Sequence, residues 1–126
     1  MTRINVLEPH QLPTKLLIAE YHELPRCIKQ KMDVGDQASR PYHLGKGHMK
    51  WGKGHSAYLL NRYFAICNEM LSRGITVNYP WQKLLTYCIE HGIYHNPMYW
   101  NDYEPTLNDL YINLERIKQN ERDNNS

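Results

Sequence analysis

The sequence predicts an all-α fold, on three observations. Apolar residues recur at spacings of three and four through 59–71, 81–89 and 107–117. Glycines or capping residues punctuate the ends of these segments, as at Gly74, Gly92 and Thr106. No run alternates with the two-residue period of a strand. The chain has 126 residues, enough for one core and short for two, so a compact single-domain helical bundle spanning 1–126 is expected.

In chain order, residues 1–12 carry no helical period and are punctuated by Pro9 and Pro13, which reads as an extended N-terminal arm. A first helix is expected from Pro13, in its first turn, to about Met32. Pro25 inside it removes a backbone donor and predicts a kink after Glu23. Residues 33–55 read as a long basic loop. The second helix is the strongest signal, with Leu59, Leu60, Tyr63, Phe64, Ile66, Cys67, Met70 and Leu71 forming an apolar stripe that should be core. A shorter helix follows, started by Asn78 and Pro80, with Trp81, Leu84, Leu85, Cys88 and Ile89 on its apolar face. Tyr94, His95, Tyr99, Trp100 and Tyr103 then crowd around Pro97, where rings either pack on the core or stack on bases. The last helix opens at Thr106 with Asp109 three residues on, and sets Leu107, Leu110, Tyr111, Leu114 and Ile117 on one side. Residues 121–126 read as a frayed polar tail.

Composition narrows the class of protein. Hydrophobic residues make up 41% and charged residues 22% of the chain, a folding composition. No run approaches the roughly 18 apolar residues of a membrane span, and no signal-peptide layout is present, so a cytoplasmic protein without membrane contact is expected. Three widely spaced cysteines lack a C-x-x-C pair and read as buried free thiols rather than a disulfide or zinc framework. Fifteen basic against thirteen acidic residues leave +2 overall. Arg26, Lys29, Lys31, Arg40, Lys46, Lys50 and Lys53, however, face only Asp33 and Asp36 across that stretch, while the last 26 residues are net acidic. Such polarity suits an anionic partner on one face.

Two groups of residues carry chemistry. Glu20, Glu23 and Arg26 recur every third residue, so on a helix they are neighbours along one side, either as a solvated salt-bridged face or as working carboxylates. GKGH occurs twice, at Gly45–His48 and Gly52–His55, where close-approaching backbone amides beside Lys46, Lys50 and Lys53 would suit phosphate oxygens. His43, His48 and His55 have no carboxylate or cysteine partner at metal-ligand spacing, and no metal site is expected. At the terminus, a small second residue permits removal of Met1, leaving Thr2 with the α-amine. Roughly 300 times more of an α-amine than of a lysine amine is neutral near pH 7, which makes it a competent nucleophile for imine formation.

The fragments MTRIN at 1–5, LIAEYHELPR at 17–26, LGKGHMKW at 44–51, Arg73-Gly74 and DYEP at 102–105 together resemble the phage-type pyrimidine-dimer DNA glycosylases, the endonuclease V of ultraviolet repair. The matches run in order through most of residues 1–118. The resemblance implies a glycosylase and abasic-site lyase acting on double-stranded DNA that contains damaged pyrimidines, without metal or cofactor. It implies that the Thr2 amine attacks C1′ of the lesion's 5′ nucleotide and that the resulting imine undergoes β-elimination. It implies Glu23 as the essential carboxylate, and Arg3 and Arg26 as phosphate contacts. It further implies Gly45, Lys46, Gly47 and His48 as a DNA-contacting loop, and Arg116 on the final helix as a further contact. Glu20 stays structural, anchoring the arm or orienting a neighbour.

Departures from the family pattern bear on lesion recognition. His22 stands where an arginine is usual, so a permanent phosphate contact becomes a titratable one. The aromatic, lysine-rich C-terminal tail is replaced by an acidic, Asn-rich end, and the segment between Gly74 and Asp102 is longer. Two alternatives therefore stay open: a lyase for another lesion or for abasic sites alone, and a DNA-binding module that breaks no bond. A monomer is the default expectation.

Overall fold

Residues 4–31, 35–42 and 48–125 of the computed structural model are described here, without the side chains of His48 and of 120–125. They contain five α-helices and no strand: α1 Thr14–Lys29, α2 His48–Lys53, α3 Ser56–Ser72, α4 Trp81–Glu90 and α5 Leu107–Asn125, preceded by a 3-10 turn at Pro9–Gln11. The fold is all-α, as the periodicity predicts. α1 and α3 pack side by side with Leu17, Leu24, Ile28, Leu59, Ile66 and Met70 buried between them and their neighbours. Tyr21 and Tyr63 stack across this contact, ring centroids 5.6 Å apart. α4 closes one end through Leu84 and Cys88.

Helix ends follow the punctuation in the sequence. Gly74 has φ 75°, with Ile75 N donating to the Met70 carbonyl (2.8 Å) and Gly74 N to Leu71 (3.0 Å). Gly92 has φ 74°, and Ile93 N donates to Cys88 (2.9 Å). Both arrangements satisfy carbonyls that the helix leaves orphaned, at backbone angles a side chain would resist. α5 starts on a reciprocal cap: Thr106 N donates to Asp109 Oδ2 (2.9 Å) and Asp109 N to Thr106 Oγ1 (3.1 Å).

Several expectations are corrected. α1 holds Pro25 in its interior, as expected, but stops at Lys29, with Gln30 already extended, short of Met32. The arm is not wholly extended, since Pro9–Gln11 make a 3-10 turn. The backbone of α5 is helical as far as Asn125, into the stretch read as a tail. Within the stretch read as loop, residues 48–53 are helical. Trp51 drives this segment inward: it is buried against Tyr42, His55, Tyr58 and Tyr103, and its Nε1 donates to the Arg40 carbonyl at 2.9 Å.

The second GKGH is a packing device. A β-carbon on Gly52 would stand 2.4 Å from Cys27 Sγ, and one on Gly54 2.3 Å from Gln37 Cβ. Lys53, expected at a phosphate, is buried, and its ammonium donates to the carbonyls of Ile28 (3.0 Å) and Gln30, closing the C-terminal end of α1. His55, weighed as a metal ligand, is buried with Nδ1 2.8 Å from the Trp51 carbonyl. All three cysteines are free and buried, and burial pushes the Cys27 thiol up to about 12.

Three apolar stripes were partly misjudged. Phe64, Leu71 and Ile89 are exposed, Phe64 resting edge-on against Trp81. On α5, Leu107, Tyr111 and Leu114 face outward, while Asp109, Asn113 and Ile117 face in. The aromatic segment divides as well: Tyr99 and Trp100 pack against the main core, Tyr103 joins the Trp51 cluster, and Tyr94 stays exposed.

Gly52→Ala is expected to cost about 1–3 kcal/mol by overpacking against Cys27. Cys27→Ala in the same chain should recover part of that loss. Urea denaturation of the single and double variants measures the coupling, and additive costs would contradict the contact.

Candidate functional site

Residues 4–7 of the arm are buried and fixed atom by atom. The Ile4 carbonyl accepts from the Tyr42 hydroxyl at 2.7 Å. Asn5 donates to Glu20 Oε1 from its backbone N (3.3 Å) and from Nδ2 (2.7 Å). Val6 N and Leu7 N both donate to Asn113 Oδ1 (2.8 and 3.1 Å), whose Nδ2 donates to Asn5 Oδ1 (2.8 Å). The Leu7 carbonyl accepts from Arg62 Nη1 at 2.7 Å.

Behind these contacts lies a buried ion pair. Arg62 engages both carboxylate oxygens of Glu20, Nε on Oε2 and Nη2 on Oε1. Burial opposes the charge on Arg62, but the neighbouring Glu20 carboxylate outweighs it and holds the guanidinium charged. Removing one member of such a pair strands the other charge without water, at a cost of about 3–5 kcal/mol. Around the pair, burial pushes the Tyr58 phenol up to about 12 and raises that of Tyr42, so both hydroxyls stay protonated.

Glu23 lies one helical turn beyond Glu20 on α1 and is largely covered, its side chain 18% exposed, with Arg26 Nη1 3.7 Å from its Oε2. The two carboxylates are separated by environment: Glu20 is locked in the interior against the arm, and Glu23 retains a path to solvent. Arg26 is exposed, and His22 is exposed with its ring edge-on to Tyr21, so both sit on the outer crest of α1. Lys31, Arg40 and Lys50 are also exposed, forming the outward-facing remainder of the basic stretch. Arg116 is half-buried on α5, close enough to Tyr42 for its charge to favour the phenolate there. Thr2, Arg3, Gly45, Lys46 and Gly47 lie outside the described residues, as does the side chain of His48. No group of three histidine, cysteine or carboxylate side chains suited to a metal ion occurs among the described residues.

Sequence reasoning missed Arg62, Asn5, Tyr42 and Asn113. Arg62 is a charged residue inside an apolar stripe, the one available hint that a buried anion waits opposite. Asn113 gave no signal, because an asparagine on a helix reads as solvent-facing.

An exposed basic crest beside a sheltered carboxylate, on a helical scaffold, suits an enzyme that handles DNA. The family model for pyrimidine dimer DNA glycosylase matches residues 1–83, about two thirds of the chain, and the chain belongs to that family. It is a DNA repair glycosylase, and its substrate is DNA. No curated protein matches the chain. No helix among the described residues is long and apolar enough to cross a membrane.

Replacing Arg26 or Lys50 by alanine is expected to weaken DNA binding and to flatten the plot of log affinity against log salt by about one unit each. An unchanged slope removes that residue from the interface.

Proposed function

We propose that the chain excises pyrimidine dimers with the Thr2 α-amine as nucleophile and then nicks the strand as a β-lyase. The observation that carries this reading is the clamp on residues 4–7. Asn5 is tied to Glu20, and Thr2 is three residues from Asn5, so chain geometry alone keeps Thr2 within about 11 Å of it. Glu23 is one turn from Glu20, their β-carbons about 5–6 Å apart, so amine and carboxylate are held to one neighbourhood at high effective concentration.

In this reading the neutral amine attacks C1′ of the 5′ nucleotide, the glycosidic electron pair leaves with the base, and the base takes up a proton. Loss of a proton from the attached nitrogen leaves an aminal, and cleavage of C1′–O4′, with O4′ taking the electron pair and a proton, opens the sugar to a protonated imine. A C2′ proton is then removed, the 3′ phosphate departs with the C–O electron pair, and hydrolysis returns the amine. The carboxylate of Glu23 stabilises the cationic sugar as it forms and relays the protons. Arg3, His22 and Arg26 grip phosphates beside the lesion, Gly45, Lys46, Gly47 and His48 contact the backbone from their loop, and Arg116 adds a contact from α5. The exposure of His22 and Arg26 supports the first group.

Borohydride reduction with dimer-containing duplex is expected to trap a covalent protein–DNA adduct, and with abasic duplex likewise. Glu23→Gln should reduce turnover by at least about a hundredfold while leaving DNA affinity within about twofold, the range of a proton-handling group. Absence of any adduct with a confirmed Thr2 terminus would overturn the amine mechanism. Trapping of abasic DNA alone would reassign the lesion.

A further inference from the structure

A second concave surface lies on the flank of α1 away from Glu23. At about 100° per residue, Glu20, Glu23 and Cys27 occupy one flank of α1 and Tyr21, Pro25 and Lys29 the other, with His22 and Arg26 on the crest between them. On the far flank are two clefts that share Lys29. The first, about 310 Å3, is walled by Tyr21, His22, Tyr63 and Tyr79. The second, about 660 Å3, is walled by Lys31, Tyr87, His91, Met98 and Tyr99. No carboxylate side chain lines either cleft among the described residues.

The rings of this trough are held in place by their own contacts. Lys29 Nζ sits 4.3 Å from the Tyr79 ring centroid and 4.9 Å from that of Tyr87, fastening α1 to α4 by cation–π attraction. Tyr87 and His91 stack at 3.9 Å with planes 16° apart, and His91 Nδ1 lies 3.0 Å from the Tyr87 carbonyl. Tyr99 lies under Lys53 Nζ, 4.9 Å from the ring centroid, and Lys53 is itself anchored to the end of α1. The stacked Tyr87–His91 pair and Tyr99 thus line a cleft whose rim carries the exposed ammonium of Lys31. Tyr87, His91, Met98 and Tyr99 all lie beyond residue 83, outside the part of the chain that the family model matches.

We propose that this trough is a second DNA-binding element that takes unpaired nucleotides of a single strand. Bases rest on the Tyr87–His91 pair and on Tyr99, and phosphates lie along Lys29 and Lys31. A duplex presents its bases edge-on and its phosphates outward, so it has no use for ring platforms in a concave wall. An unpaired strand offers both base faces and phosphates, and aromatic rings in a basic groove are the arrangement that holds it. The site does not depend on imine chemistry at Thr2.

The test is fluorescence anisotropy of the full chain with a labelled, undamaged oligothymidylate, beside an undamaged duplex of equal length. Wild type should bind the single strand in a saturable, salt-weakened manner. His91→Ala and Lys31→Ala, both at exposed positions that the fold tolerates, should each weaken it about tenfold. Tyr99→Ala should do the same if circular dichroism finds it folded. Lys83→Ala, an equal charge loss on α4 away from the trough, should bind as wild type does. Failure of wild type to hold the single strand, or wild-type affinity in both His91→Ala and Lys31→Ala, overturns the proposal. Borohydride trapping on abasic duplex should be retained in His91→Ala. Its failure in wild type would remove the amine mechanism and leave this site standing.

Discussion

The Glu20 carboxylate is the point on which the molecule turns. It sits in the interior where an isolated charge is not tolerated, so it requires Arg62, and the pair together require polar partners for their remaining hydrogen-bonding capacity. The arm supplies them: Asn5 donates to the carboxylate and the Leu7 carbonyl receives the guanidinium. A stretch of chain with no helical or strand hydrogen bonds of its own is thereby made as fixed as the helices around it. Asn113 completes the arrangement from α5, which explains why that helix turns an asparagine inward while Leu107 and Leu114 stay exposed.

This clamp separates two neighbouring carboxylates into different roles. Glu20 has exchanged water for Arg62 and Asn5, and is committed to structure. Glu23, a turn away, keeps partial exposure and a looser contact with Arg26, which leaves it able to answer charge that develops on a substrate. On the proposed mechanism the buried pair does no chemistry but fixes the distance over which the chemistry runs. The Gly-rich region divides in the same way. Its second GKGH is consumed by packing, with Gly52 against Cys27 and Lys53 on the end of α1, so phosphate binding by this region would rest on Gly45–His48 and Lys50.

Much of the fold was legible in the sequence wherever a local rule decided the outcome. Gly74 and Gly92 ended α3 and α4 because a left-handed residue was needed there, and Thr106 with Asp109 opened α5 as a reciprocal cap. The 59–71 stripe located α3, although Phe64 and Leu71 lie outside its buried face. Legibility failed where tertiary partners overrode pattern. α2 has glycines and lysines that signal a loop, and is helical because Trp51 finds an aromatic box built by Tyr42, Tyr58 and Tyr103. The face of α5 was partly misassigned because Asp109 and Asn113 are buried beside Ile117. At the site, family-like motifs pointed to Glu23, His22 and Arg26, whereas the residues that hold the arm, Arg62 and Asn113, belong to no motif and acquire meaning only when the chain is folded.

The central claim is that the clamp at residues 4–7 sets the reach of the Thr2 amine toward the lesion. The most direct measurement is the rate of borohydride-trapped adduct with abasic duplex for a chain carrying one glycine inserted between Arg3 and Ile4, which adds about 3.5 Å of tether while leaving every clamp contact in place. With thermal stability unchanged, the rate should fall at least about tenfold, as expected when a reacting group loses its alignment. Adduct formation at the wild-type rate would contradict the account.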